Sequence, residues 1–166
     1  VTWGNGTVGT KGVVSVANSL VGSSADDDVG SSFYGGVTTL SNGNYLVRDS
    51  AWNNGSVLDA GAITWGDGAG GTTGAVSAAN SLVGSSANDQ VGGTISTQVI
   101  ELTNGNYVVS NSGWDLDGTH PDVGAVTWGS GAAGVKGPIS ATNSLVGTSA
   151  SAPVGDRFSD NYGITA

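Results

Sequence analysis

The chain of 166 residues has no cysteine, no methionine and only 3 prolines. Without cysteine neither a disulfide framework nor a thiolate metal site can form. Positive charge is also scarce: Lys11, Arg48, Lys136 and Arg157 stand against 13 acids, for a net charge of −9. Cations so few and so scattered form no phosphate-binding stripe, so neither nucleic acid nor an anionic membrane is an expected partner. No apolar run approaches the ~18 residues of a spanning helix, so no membrane span is expected. Charged residues make up 10% of the chain, well below the usual quarter. The surface must then be mostly Ser, Thr, Asn and Gly, as in many secreted and cell-surface β-proteins, and an extracellular or cell-surface location is expected. The sequence opens at Val1, without an initiator methionine and in mid-repeat, and reads as a piece of a longer polypeptide.

What the chain does have is one stretch carried three times: a Thr-Trp-Gly strand, a glycine-rich turn, then Asn-Ser-Leu-Val-Gly. The copies start at Thr2-Trp3-Gly4, Thr64-Trp65-Gly66 and Thr127-Trp128-Gly129, with tryptophan spacings of 62 and 63 residues. Asn18, Asn80 and Asn143 keep the same spacing. Such a period marks units that bury their apolar faces against neighbours rather than alone.

A whole unit can be written from the second copy. Residues 35–40 read as a strand, Asn42-Gly43 as a tight hairpin turn, and Asn44 to Asp49 as the return strand. After a polar loop from Trp52 to Asp59, Gly61 to Trp65 forms a third strand and Ala75 to Gly84 supplies a fourth. The next unit repeats the order with Asn104-Gly105-Asn106-Tyr107, Trp114, Val123 to Trp128 and Pro138 to Gly147. Turn signals at such intervals, with no sustained helical period, predict an all-β fold. The architecture expected is a tandem array of blade-like, four-stranded antiparallel repeats of about 62 residues, open-ended and completed by neighbouring chains. The boundaries follow: 1–33 is the second half of a repeat, 34–94 and 95–155 are full repeats, and 156–166 is the first strand of another.

The Trp-Gly element therefore has three copies and the Asn-Gly-Asn-Tyr hairpin two. Cut sheets expose edges that another chain can pair with. The expected assembly contact joins Gly163, Ile164, Thr165 and Ala166 of one chain to Val1, Thr2 and Trp3 of the next. Strand addition draws its affinity from backbone hydrogen bonds, and head-to-tail contacts give rings or filaments.

The run Gly84 to Gly92, the Leu-x-Asn-Gly-Asn-Tyr-x-Val hairpin and Asp59-Ala60-Gly61-Ala62-Ile63-Thr64-Trp65-Gly66-Asp67-Gly68 together resemble the FG-GAP blade of integrin-α-like β-propellers. The Thr-Trp-Gly and Asn-Ser-Leu-Val-Gly blocks are also similar to repeats of giant bacterial haemagglutinin-like surface proteins. The resemblance covers nearly the whole chain and implies propeller-type blades in an adhesive surface protein. Two departures stand out. The family's Phe-Gly is Val-Gly here, at Val29, Val91 and Val154, and its carboxylate-rich calcium loop is replaced by the Ser41-Asn42-Gly43 and Thr103-Asn104-Gly105 turns.

No catalytic constellation recurs, so no enzyme, cofactor or metal is expected. Asp115, Asp117 and Asp122 form the best calcium candidate, but their sibling loop carries Asn53, Asn54 and Asp59, which favours a solvated loop. Asp26-Asp27-Asp28 reads as a tolerant surface loop, since its siblings are Asn88-Asp89-Gln90 and Ser151-Ala152-Pro153. His120, the only histidine, has no nucleophile pattern around it. Trp3, Trp65 and Trp128 are expected to cap the core of their own repeats, while Trp52 and Trp114, in polar loops, are the better sugar-stacking candidates. The recurring asparagine is expected to satisfy backbone groups that the strand ladders leave open. The expected function is a self-assembling extracellular structural or adhesive repeat; the alternative is a module that binds cell-surface glycans or calcium.

Overall fold

The computed structural model describes residues 1–31, 36–93 and 97–155. The described residues are all-β, with no helix among them. The strands are β1 (Leu20–Val21), β2 (Val37–Thr39), β3 (Tyr45–Asp49), β4 (Ala62–Gly66), β5 (Gly74–Ala75), β6 (Ser81–Val83), β7 (Thr97–Glu101), β8 (Tyr107–Asn111), β9 (Ala125–Gly129), β10 (Gly137–Pro138) and β11 (Ser144–Val146).

Each full repeat forms a four-stranded antiparallel layer, β6-β4-β3-β2 in one and β11-β9-β8-β7 in the other. The hairpins close as the Asn-Gly pairs predict: Gly43 and Gly105 have positive φ, and Asn42 and Asn104 accept the N–H two residues on. One stretch differs from expectation. Ala75 to Gly84 is not a single strand but two, β5 and β6, separated by a turn. Asn80 closes that turn: its Oδ1 accepts the Ser77 N–H at 2.9 Å and its Nδ2 donates to Ala75 O at 2.9 Å. Asn18 and Asn143 make the same pair of bonds, so the recurring asparagine does satisfy the main chain, by closing a turn.

The two-residue alternation of a strand sends its side chains to two different cores. Leu46, Ile63 and Leu82 face one way and pack with Tyr107, Val109 and Ala125 of the following repeat. Val47, Ala62 and Val83 face the other way and pack with Leu20 of the preceding half-unit. The cores therefore lie between repeats. The last layer has only its inner face covered among the described residues: Tyr107, Val109 and Ala125 are buried, whereas Trp128 and Leu145 are exposed.

Leu82 and Leu145 hold the same place in successive repeats and differ in what covers them. Leu82→Ala should lower the unfolding free energy by about 2–5 kcal/mol, and Leu145→Ala by less than about 0.5 kcal/mol, as read by urea denaturation.

Candidate functional site

The feature that recurs with its chemistry intact is the junction between repeats. β5 lies parallel to β1, pairing Gly74 with Leu20, and β10 lies parallel to β6, pairing Gly137 with Leu82. Gly74 and Val76 donate to Ser19 O and Val21 O at 3.0 Å each, and Ile139 donates to Val83 O at 3.0 Å. The intervening residue has its N–H turned away, so Pro138 is tolerated where Ala75 stood. Gly74 and Gly137 sit at φ 106° and 97°, a conformation that side-chain-bearing residues rarely adopt.

A tryptophan brackets each junction. Trp3 Nε1 donates to Gly68 O at 3.1 Å, and Trp65 Nε1 donates to Gly131 O at 3.0 Å. A Cβ on Gly71 would stand 2.6 Å from Trp3, and one on Gly134 would stand 2.5 Å from Trp65. The ring thus lies against the glycine turn of the next repeat. This corrects the expectation that each tryptophan caps its own core. The partner glycines recur at the tryptophan's own spacing, a signal the sequence offered. Asn42 and Asn44 add their Nδ2 groups to Gly131 O, at 2.8 Å each.

Carboxylates provide a second tie. Asp27 Oδ2 accepts the Ser23 and Ser24 N–H groups while its Oδ1 accepts the Asn53 N–H of the next repeat at 3.2 Å. Asp89 repeats this with Ser85 and Ser86 and with the Asp115 N–H at 3.1 Å. Asp27 is therefore a latch within a loop that reads from sequence as tolerant surface. Its 62-residue match to Asp89 was the available signal. Arg48 reaches Gly92, Gly93 and Thr97 carbonyls, and burial lowers its pKa. Glu101 accepts the Ser41 hydroxyl and N–H, which hold its pKa low.

Of the expected assembly residues, Gly163, Ile164, Thr165 and Ala166 lie outside the described residues. Val1 exchanges backbone bonds with Leu20, and Thr2 shares a 2.7 Å hydroxyl bond with Ser19, as Thr64 does with Ser81. The other edge of Val1–Trp3 has no strand among the described residues. The sheet order places a tyrosine strand, β3 or β8, beside this element and the first strand one place further out. Cβ atoms on Gly66 and Gly129 would strike the Tyr45 and Tyr107 rings, whereas Gly4 meets nothing within 4 Å.

The loop candidates resolve differently. Trp52 and Trp114 are buried, so their rings are not available to stack on a sugar. Trp52 donates to Ser23 Oγ at 2.9 Å, and Trp114 Nε1 is buried without a partner. Asp115 Oδ1 accepts the Asp122 N–H at 2.8 Å, and Asp117 Oδ1 accepts from Thr119 and meets exposed His120 Nδ1 at 2.9 Å. The Thr119 hydroxyl, His120 and the Thr119 N–H hold the Asp117 pKa well below the usual carboxylate range. These oxygens are occupied within their own loop, and no group of three metal-capable side chains occurs among the described residues.

One pair of siblings differs chemically. Asn111 is fully buried, with Nδ2 donating to Asp89 O at 2.8 Å and Oδ1 accepting the Gly113 N–H at 3.1 Å. Its counterpart is Asp49, whose Oδ1 accepts the Asp28 N–H at 3.2 Å and whose Oδ2 is buried without a partner. Burial pushes the Asp49 pKa up to about 6, and Asp89 is likewise pushed up to about 6 against its N–H donors. A protonated Asp49 supplies the donor that Asn111 has and a carboxylate lacks.

Comparison with known proteins gives one match. The family model for a repeat of unknown function, DUF5650, matches residues 1–31, 39–93 and 101–156. No curated protein and no solved structure matches the chain.

Asp49 binds its proton more tightly in the folded state, at about 6 against 3.8, so its stabilising contribution is full below pH ~4 and lost as pH rises through ~6. Asp49→Asn removes that loss. It should raise the melting temperature at pH 7.5, by a stability gain of roughly 1–3 kcal/mol, and give little or no gain at pH 4.

Proposed function

We propose that this chain, which belongs to the DUF5650 repeat family, is a structural and adhesive repeat protein of the cell exterior that self-assembles by β-strand complementation. The observation that carries the reading is the junction itself. Parallel strand, tryptophan bracket and carboxylate latch are built twice from matching residues. A module spends residues in this way when its work is to join copies of itself.

The extracellular placement rests on composition: 10% charged residues, 30 glycines and a surface left to Ser, Thr and Asn. The adhesive role rests on the likeness to surface-protein repeats. The four-stranded layers, stacked face to face with their cores between them, suit propeller-type blades in a filament or a composite ring.

Negative-stain electron microscopy of the purified chain tests this. Concentrated protein should show filaments or rings built from several chains, and dilution should dissolve them. Compact single chains at every concentration would contradict the reading.

A further inference from the structure

The chain has four Asn-Gly pairs: Asn5-Gly6, Asn42-Gly43, Asn54-Gly55 and Asn104-Gly105. A glycine after asparagine leaves its main-chain nitrogen open to approach, since no Cβ shields it. That nitrogen can attack the asparagine side chain. The fold treats the pairs differently. In the two hairpin turns the attacking nitrogen is tied down: Gly43 N–H donates to Leu40 O at 3.0 Å, and Gly105 N–H to Leu102 O at 2.9 Å. Their side chains are tied as well. Asn42 Oδ1 and Asn104 Oδ1 accept the Asn44 and Asn106 N–H groups at 3.0 and 3.1 Å. Asn42 Nδ2 also reaches Gly131 O at 2.8 Å.

Asn54 is held far less. It opens the tip of the loop after Trp52, where Asn54 and Val57 exchange main-chain bonds at 2.9 and 3.1 Å. Gly55 takes the first central position of that tip with φ 65°, and Ser56 is not among the residues of positive φ, the pattern of a type II′ turn. Gly55 N–H meets no acceptor among the described residues, and Asn54 Oδ1 meets no donor there. The one side-chain tie is a 3.2 Å bond from Asn54 Nδ2 to Gly84 O. Gly55 and Ser56 are exposed, and a Cβ on Gly55 would meet nothing within 4 Å. Water and a forming ring both have room. Gly6 N–H is also free among the described residues, but the Thr7 and Val8 N–H groups hold Asn5 Oδ1 at 2.9 and 3.2 Å.

We infer that Asn54 is a site of spontaneous covalent modification, converting to aspartate and isoaspartate through a cyclic imide with Gly55. Gly55 N bonds to Asn54 Cγ and gives up its proton, and the side-chain nitrogen leaves as ammonia. Water then opens the ring. Cleavage between Cγ and the Gly55 nitrogen yields aspartate on an unchanged main chain. Cleavage at the main-chain carbonyl yields isoaspartate, with the chain running through Cβ and Cγ. The aspartate product has a precedent in the next repeat. There Asp117 opens the matching tip, bridged to His120, and its Oδ1 accepts the Thr119 N–H and hydroxyl. Ser56 offers the same two groups to residue 54. Isoaspartate instead adds a carbon to a two-residue turn and upsets its bonds with Val57. Both products replace the donor to Gly84 O with an acceptor. The chemistry needs no second copy of the chain, so it stands apart from the assembly reading.

Incubation of the purified chain at mildly alkaline pH, followed by peptide mapping in a mass spectrometer, tests this. Each ordinary hydrogen bond that must break before attack slows it by about two- to tenfold. Asn54 should therefore convert first of the four, at least about fivefold faster than Asn42 or Asn104. Its product peptides should include one that isoaspartyl methyltransferase labels. In urea the bonds are gone, and the lead of Asn54 should vanish. Asn54→Gln should abolish the first acidic form seen on isoelectric focusing. If Asn54 is not the fastest of the four in the folded chain, the inference is overturned. A lead that persists in urea overturns it too, since the fold would then not be its cause.

Discussion

A strand bonded to its own sheet on one side still offers unsatisfied N–H and C=O groups on the other. In this protein that second side is given to the next repeat. Ser19 O, Val21 O and Val83 O are each met by an N–H from a strand that belongs to the following unit. The rest of the arrangement depends on this pairing. It sets the distance at which layers face each other, brings the indole to its glycine carbonyl, and closes the two cores between layers.

The consequence is a division of labour by strand alternation. A layer such as β6-β4-β3-β2 has no private core, since its odd and even residues are buried against different neighbours. Stability is then largely a sum over junctions, as in other stacked repeats. Polar ties add geometry more than energy. The Asp27 and Asp89 latches hold a loop of the next repeat by its main chain, and Arg48 bonds the Gly92 and Gly93 carbonyls of its own repeat and reaches the Thr97 carbonyl of the next. The unequal pair Asp49 and Asn111 shows the tolerance of such a scheme: the same buried position accepts an amide, or an acid whose pKa burial raises to about 6.

Much of the fold was legible in the sequence because its signals are local. Asn-Gly turns, the alternation at Tyr45–Asp49 and the recurrence of Thr-Trp-Gly name hairpins, strands and units without reference to anything distant. The junction was not, because self-similarity tells what recurs and not what it touches. Gly74-Ala75 is too short to announce itself as a strand, so it merged with Ser81–Val83 into one expected element. Trp65 was assigned to its own repeat because its acceptor, Gly131, lies 66 residues away. Trp52 and Trp114 sit in polar loops by sequence, yet the loops fold over them and bury the rings. Asp27 looked dispensable because one of its two siblings is Ala152, at an end of the array where the latch has nothing described to hold.

The central claim is that repeats are joined through the Gly-x-apolar strand. Residue-resolved amide hydrogen exchange on dilute, monomeric protein tests it most directly. The Val76 and Ile139 amides, bonded to Val21 O and Val83 O, should be protected, and the Val14 amide at the homologous position should exchange freely. Equal exchange at all three positions would contradict the account.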